Sequence, residues 1–194
     1  SITIPEGVTS IESFAFYGCS SLTSITIPNS VTKIGESGFG GCSSLTSITI
    51  PKSVTEISND AFNSCSSLKN VVVSNKYCYD YFKESGISNI IVAVSNIEQY
   101  EECKNQGITD IIFNGSNASA DGRCLIIDGE LVAFIAKGLT KYTMPHNVTK
   151  IGAGVFVNCD TLTSLTITNS ATTFEPDTFD GCCNLTSLNI NCNI

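Results

Sequence analysis

Ten cysteines and a single histidine, His146, are the residues of this chain best suited to chemistry. Thiolates act as nucleophiles, metal ligands or disulfide partners, and each use demands its own spacing. An even count in a chain with 25 serines and 20 threonines invites a disulfide framework. The spacing argues otherwise. Cys19, Cys42 and Cys65 lie 23 residues apart, as do Cys159 and Cys182. A thiol repeated at that period among apolar residues reads as a small buried residue in a ladder. Parallel side chains from stacked rungs point the same way, which disfavours bridging. No Cys-x-x-Cys pair is present, and the adjacent Cys182-Cys183 is poor tetrahedral geometry for zinc. Off this lattice, Cys78 and Cys103 read as helix core, Cys124 stands apart, and Cys183 and Cys192 lie near the C-terminus. Cys192 is expected to be the most reactive thiol.

The other candidates are weaker. His146 follows Pro145 in a turn where equivalent positions hold Glu6, Asn29 and Lys52, so it reads as a solvated turn residue. One histidine leaves no material for a multi-His metal site or a His-based acid–base pair. Gly152-Ala-Gly154 lacks the third glycine and the Lys-Ser/Thr of a phosphate loop. Glu12, Glu36, Glu56 and Asp60 come one per turn, without a facing acid pair. Four Asn-x-Ser/Thr sequons, at Asn114, Asn117, Asn147 and Asn184, arise by chance in a chain this rich in Ser, Thr and Asn, and matter only in a eukaryotic source. The expectation is no catalysis, no metal and no cofactor.

The elements that carry these residues follow from internal repetition. Residues 22–44 and 45–67 are near copies, and the period is 23. Ile4, Ile27, Ile50 and Val73 keep it; so do Val8, Val31 and Val54; Ile11, Ile34 and Ile57; Phe16, Phe39 and Phe62; and Leu22, Leu45 and Leu68. The pattern returns as Ile151, Phe156, Cys159, Leu162, Leu165 and Ile167, then as Phe174, Phe179, Cys182, Leu185, Leu188 and Ile190. Within a unit, Leu-x-x-Ile-x-Ile is a short strand whose Ile pair points inward. Proline stops it. The following Val and Ile reach back into the core from a turn, Gly35 permits a bend, and residues 36–42 suit one helical turn. No unit buries its apolar set alone, so stacked units must share one core.

Residues 75–113 depart from the period. Strand-like sets begin at Ile87 and Ile108, after steps of 19 and 21 residues. Asn75 is placed to cap a helix through Cys78 and Phe82 that stops at Gly86. Ser95-Asn-Ile-Glu98 reads as a capping box for a second helix through Tyr100 and Cys103 to Gly107. Residues 114–138 hold a polar loop and a hairpin, with Asp128-Gly129 as its type I′ turn. Regular repeats resume over 139–194. The predicted organisation is one repeat solenoid over residues 1–194, with nine stacked strands.

Composition narrows function. The net charge of −8 and the absence of a basic run exclude nonspecific nucleic-acid binding. No apolar run approaches the ~20 residues of a membrane helix. The chain opens in structured-looking sequence without Met, as expected of a mature piece or a segment of something longer. Both ends stop on strands without a polar cap, and end-to-end association there is expected.

The motif Leu-Thr-Ser-Ile-Thr-Ile-Pro-x-Ser-Val-Thr-x-Ile, followed by Phe-x-x-Cys-x-x-Leu, resembles the BspA-like leucine-rich repeats. The hairpin from Asp121 to Gly138 is similar to an insertion in that family. The resemblance implies an α/β repeat solenoid: a right-handed superhelix with parallel strands on the concave face and turns or short helices on the convex face. It also implies a non-enzymatic, cell-surface or secreted bacterial protein that acts in adhesion to host proteins.

On that fold the outward strand positions are the candidate binding face. Thr23, Thr46, Thr163 and Thr186 form one column, and Thr26, Thr49 and Thr166 another. Stacked about 4.8 Å apart, such hydroxyls make a polar surface for a protein partner. Thr is also simply a good exposed strand residue. Lys69, Asp110 and Lys141 interrupt the columns and are the more informative candidates. A glycan-binding module with Tyr142 as its platform is one alternative, weakened by the lack of Trp. A structural spacer is the other.

Overall fold

The computed structural model describes residues 2–87, 89–168 and 173–191, with the side chain of Asn191 left aside. Its internal contacts form two compact units, Ser1–Ala93 and Val94–Ile194.

In the first unit the Ile-x-Ile segments form strands β1 (Ile2–Thr3), β3 (Ile25–Thr26), β5 (Ser47–Ile50) and β7 (Asn70–Val73), with β8 (Asn89–Val94) at its end. Pairing is parallel and keeps the 23-residue register: Ile2 meets Ile25, and Ile48 meets Val71. Between β7 and β8 the offset drops to 19, with Val71 opposite Ile90. Alternation is strict in β5, where Ile48 and Ile50 are buried while Ser47 and Thr49 are exposed. The chain then turns after proline; Val31 N–H donates to the Pro28 carbonyl and Val54 N–H to that of Pro51.

The Val-Thr-x-Ile segment is more than a turn. β2 (Ser10–Ile11), β4 (Lys33–Ile34) and β6 (Glu56–Ile57) form a second parallel ladder in the same register. Period-2 alternation over two residues is too short to register as a strand in sequence. Gly35 follows this ladder, and close approach is what requires it. A Cβ there would stand 2.8 Å from the backbone nitrogen of Ser13.

The remaining segment is a double bend rather than a helical turn. Up to two positions per repeat are left-handed: Phe14, Ser37, Gly154 and Asp177 at one, and Gly18, Gly41, Ser64, Asn158 and Gly181 at the other. Left-handed backbone suits Gly, Asn and Asp, which explains the small residues around each lattice cysteine. Phe16, Phe39 and Phe62 stack beneath these bends with ring centroids 5.2 and 5.1 Å apart.

Helix α1 (Lys76–Glu84) replaces the turn after β7. As expected, the Asn75 side chain accepts from Cys78 N–H (2.8 Å), and Cys78 and Phe82 are buried.

The second unit has the same grammar. Its helix α2 (Ile97–Asn105) is capped one residue later than the sequence suggests. Asn96 accepts from Gln99 N–H (2.9 Å), and Gln99 Oε1 accepts from Ser95 N–H (2.9 Å). Gln99 therefore takes the reciprocal role assigned to Glu98. Cys103 is only half-buried, so it is not a core residue. After β9 (Ile111–Phe113) come the hairpin strands β10 (Cys124–Ile127) and β11 (Glu130–Phe134), joined through Asp128 (φ +50°) and Gly129 (φ +81°) as a type I′ turn requires. β11 then pairs in parallel with β13 (Lys150–Ile151), and β13 with β15 (Thr173–Phe174). The hairpin thus supplies a rung of the second ladder. β12 (Lys141–Thr143), β14 (Ser164–Thr168) and β16 (Ser187–Asn191) form the main ladder. Its core gathers Leu131, Phe134, Met144, Ile151, Phe156 and Leu165.

Candidate functional site

Of the lattice cysteines, Cys42 and Cys159 are buried and Cys19, Cys65 and Cys182 are half-buried, so the ladder is only partly a core one; three of the five thiols are hydrogen-bonded across repeats. Cys42 Sγ donates to the Phe16 carbonyl (3.2 Å), Cys65 Sγ to that of Phe39 (3.1 Å) and Cys182 Sγ to that of Phe156 (2.8 Å). Each reaches 26 residues back, into the preceding repeat. Burial pushes the thiols of Cys42, Cys78 and Cys124 up to about 11, and that of Cys159 to about 12. Thiols held protonated in this way make poor nucleophiles at neutral pH. Of the nine described cysteines, all free thiols, Cys183 is the exposed one. Cys192 lies outside the described residues. His146 is exposed in its turn. Among the described residues no three His, Cys, Asp or Glu side chains gather as a metal set.

The outward strand positions do gather, within each unit. In the first, Thr23, Thr26, Thr46, Thr49 and Lys69 are all exposed. Thr49, Val72 and Ile91 stand in register, so this column turns from hydroxyl to aliphatic along the ladder. Asn70 and Asn89, joined side chain to side chain, continue the Ser47 column. In the second unit Lys141, Ser164 and Ser187 are in register, as are Thr143, Thr166 and Asn189. The hydroxyls of Thr163 and Thr186 donate to the carbonyls of Thr140 (2.9 Å) and Thr163 (3.2 Å). Their protons are therefore used inside the ladder, leaving acceptor lone pairs for a partner. Asp110 is bound by the Lys137 ammonium and contributes no unpaired carboxylate.

Tyr142 is not a sugar platform. It occupies the inward column opposite Leu165, its ring packs on Phe134 (4.8 Å), and its hydroxyl meets Cys124 Sγ at 3.2 Å. Burial and the neighbouring Cys124 and Asp121 drive its pKa upward. Its place in the Leu-x-x-Ile pattern was the signal for that orientation.

Sequence reasoning also missed cavities in both units. The first, about 660 Å³, lies between α1 and the third convex turn, with Phe62, Phe82 and Leu68 as its apolar side and Ser64, Ser66 and Lys69 as its polar side. The second, about 640 Å³, is lined by Ile108, Phe134, Ile135 and Val157 with Lys104 and Lys137. The signal for both was the shortened 19- and 21-residue steps.

Parallel ladders one repeat apart, a repeating inward Leu/Ile set and turns on the other side define a leucine-rich repeat solenoid. Its repeats match the family described as the BspA type leucine-rich repeat region over residues 1–120 and 130–194, in six copies, and the chain belongs to that family. Similar solved structures include a leucine-rich repeat protein of T. pallidum (23% identity, 98% of this chain and 69% of that one, TM-score 0.35). Others are a leucine-rich cell surface protein of Faecalibacterium prausnitzii (21%, 97% and 59%, 0.35) and the pneumococcal vaccine antigen PcpA (18%, 99% and 50%, 0.39). The chain thus spans about half to two-thirds of the length of these relatives. No curated protein matches it.

Proposed function

We propose that this chain is a non-enzymatic scaffold that binds another protein, as part of a cell-surface or secreted bacterial protein. The observation that carries this reading is the exposed strand face. Thr26 and Thr49 project from paired strands whose inward neighbours are fully committed to the core. Small polar side chains on a rigid backbone give a partner many short contacts at little entropic cost. Family membership supports a binding scaffold; one similar solved structure is that of a leucine-rich cell surface protein. No described helix is long and apolar enough to cross a membrane.

The test is a binding panel. The chain is immobilised and exposed to purified extracellular matrix and host-surface proteins by biolayer interferometry. At least one member should bind saturably. A panel with no saturable member removes the adhesion reading and leaves a spacer.

A further inference from the structure

We infer that the cavity beside α1 is a seat for a peptide turn of a partner protein, held by backbone groups that a following repeat turn would otherwise engage. This deepens the protein-binding reading and rests on it.

The intact repeats show how one convex turn covers the next. Gly18 N–H donates to the Gly40 carbonyl (2.7 Å), Gly41 N–H to Asn63 (2.8 Å) and Asn158 N–H to Asp180 (3.0 Å). In each case the residue two further along is the lattice cysteine, whose thiol donates back to the carbonyl of Phe16, Phe39 or Phe156. A covering turn therefore offers one carbonyl and, two residues later, one small donor side chain.

The third turn has lost part of its cover. Its equivalent groups are Ser64 N–H, held left-handed at φ +59°, and the Phe62 carbonyl. Among the described residues no carbonyl stands opposite Ser64 N–H, and the Phe62 carbonyl accepts only Cys65 N–H (3.2 Å). The cause is the short step. α1 returns Phe82 to the aromatic stack, 5.2 Å from Phe62, and the Tyr81 hydroxyl reaches the Asn59 carbonyl (3.4 Å). Neither supplies the missing carbonyl–donor pair. What remains is about 660 Å³ of open space, within the range that takes small ligands.

The complementary chemistry is a turn of small residues with a serine or cysteine two positions after a free carbonyl. Larger side chains would meet the Tyr81 and Phe82 rings. A cyclic nonapeptide copying residues 37–45, with Phe39→Gly and Leu45→Gly to keep it small and Cys42→Ser to remove thiol chemistry, is the probe. It is titrated against the whole ¹⁵N-labelled chain, and amide shifts are followed. Saturable movement of the Ser64 and Ser66 amides is expected. An analogue with alanine at the serine replacing Cys42 should bind at least fivefold more weakly. Ser66→Trp, which fills the cavity, should abolish the shifts at unchanged melting temperature, whereas Thr49→Glu on the strand face should leave them intact. The proposal is overturned by no saturable shift at millimolar peptide, by equal binding of the alanine analogue, or by shifts that persist in a folded Ser66→Trp. The peptide pair decides the matter even if that variant does not fold. A strand-face partner weakened by Thr49→Glu would survive any of these failures, so the two readings fail separately.

Discussion

The thiol of Cys65 donates to the carbonyl of Phe39, 3.1 Å away and one repeat back. That carbonyl also accepts the Cys42 N–H (3.1 Å), so Phe39 is tied to its own repeat and to the next. The same double acceptance recurs at Phe16 and Phe156. Cysteine at this position is thus a cross-repeat donor small enough to sit beside a left-handed bend.

Removing the donor should weaken the stack. Cys42→Ala is expected to cost about 1–2 kcal/mol, the loss of one buried hydrogen bond and some packing. Cys42→Ser retains a donor and should cost less. Urea unfolding midpoints decide, and equal losses in the two variants would make the bond irrelevant.

The buried thiols also set a pH dependence. Their folded pKa values lie near 11 for Cys42, Cys78 and Cys124, above the ordinary 9.0, because burial penalises the thiolate. The unfolded chain then loses protons first as pH rises. Stability should be fully present below pH 9 and fall progressively between about 9 and 11. Urea midpoints measured from pH 7 to 11 under reductant test this; a flat profile would contradict the burial of these groups.

Aromatic stacking gives a larger effect. Phe39 is fully buried between Phe16 and Phe62. Phe39→Ala should destabilise by about 3–5 kcal/mol. A surface-sized change would place that ring outside the core.

Tyr142→Phe isolates the hydroxyl facing Cys124. The ring contact with Phe134 survives, so the expected loss is about 0.5–1.5 kcal/mol in thermal or urea unfolding. An unchanged midpoint would mean that this contact adds nothing.

Much of this was legible in sequence because a 23-residue period turns one strand pattern into a register. Ile48 opposite Val71 follows directly from it. The second ladder at Lys33–Ile34 was not legible, since two residues carry no periodicity of their own. Gly35 was assigned to a bend, yet its need is the nearness of Ser13, a long-range fact. The Asn96 cap was displaced by one residue because Ser95 and Asn96 are both good capping types. At the candidate binding face, the exposure of Thr49 was readable from alternation. The pairing of Asp110 with Lys137 was not, because it joins residues 27 apart outside any repeat.

The central claim is that the exposed strand face receives a protein. The direct measurement is the Kd of a panel-identified partner for three folded proteins: the unaltered chain, Thr26→Glu/Thr49→Glu on the strand face, and Ser20→Glu/Ser43→Glu on the turn side. The account predicts at least a tenfold loss for the strand-face variant and less than a twofold change for the turn-side variant. The reverse pattern would contradict it.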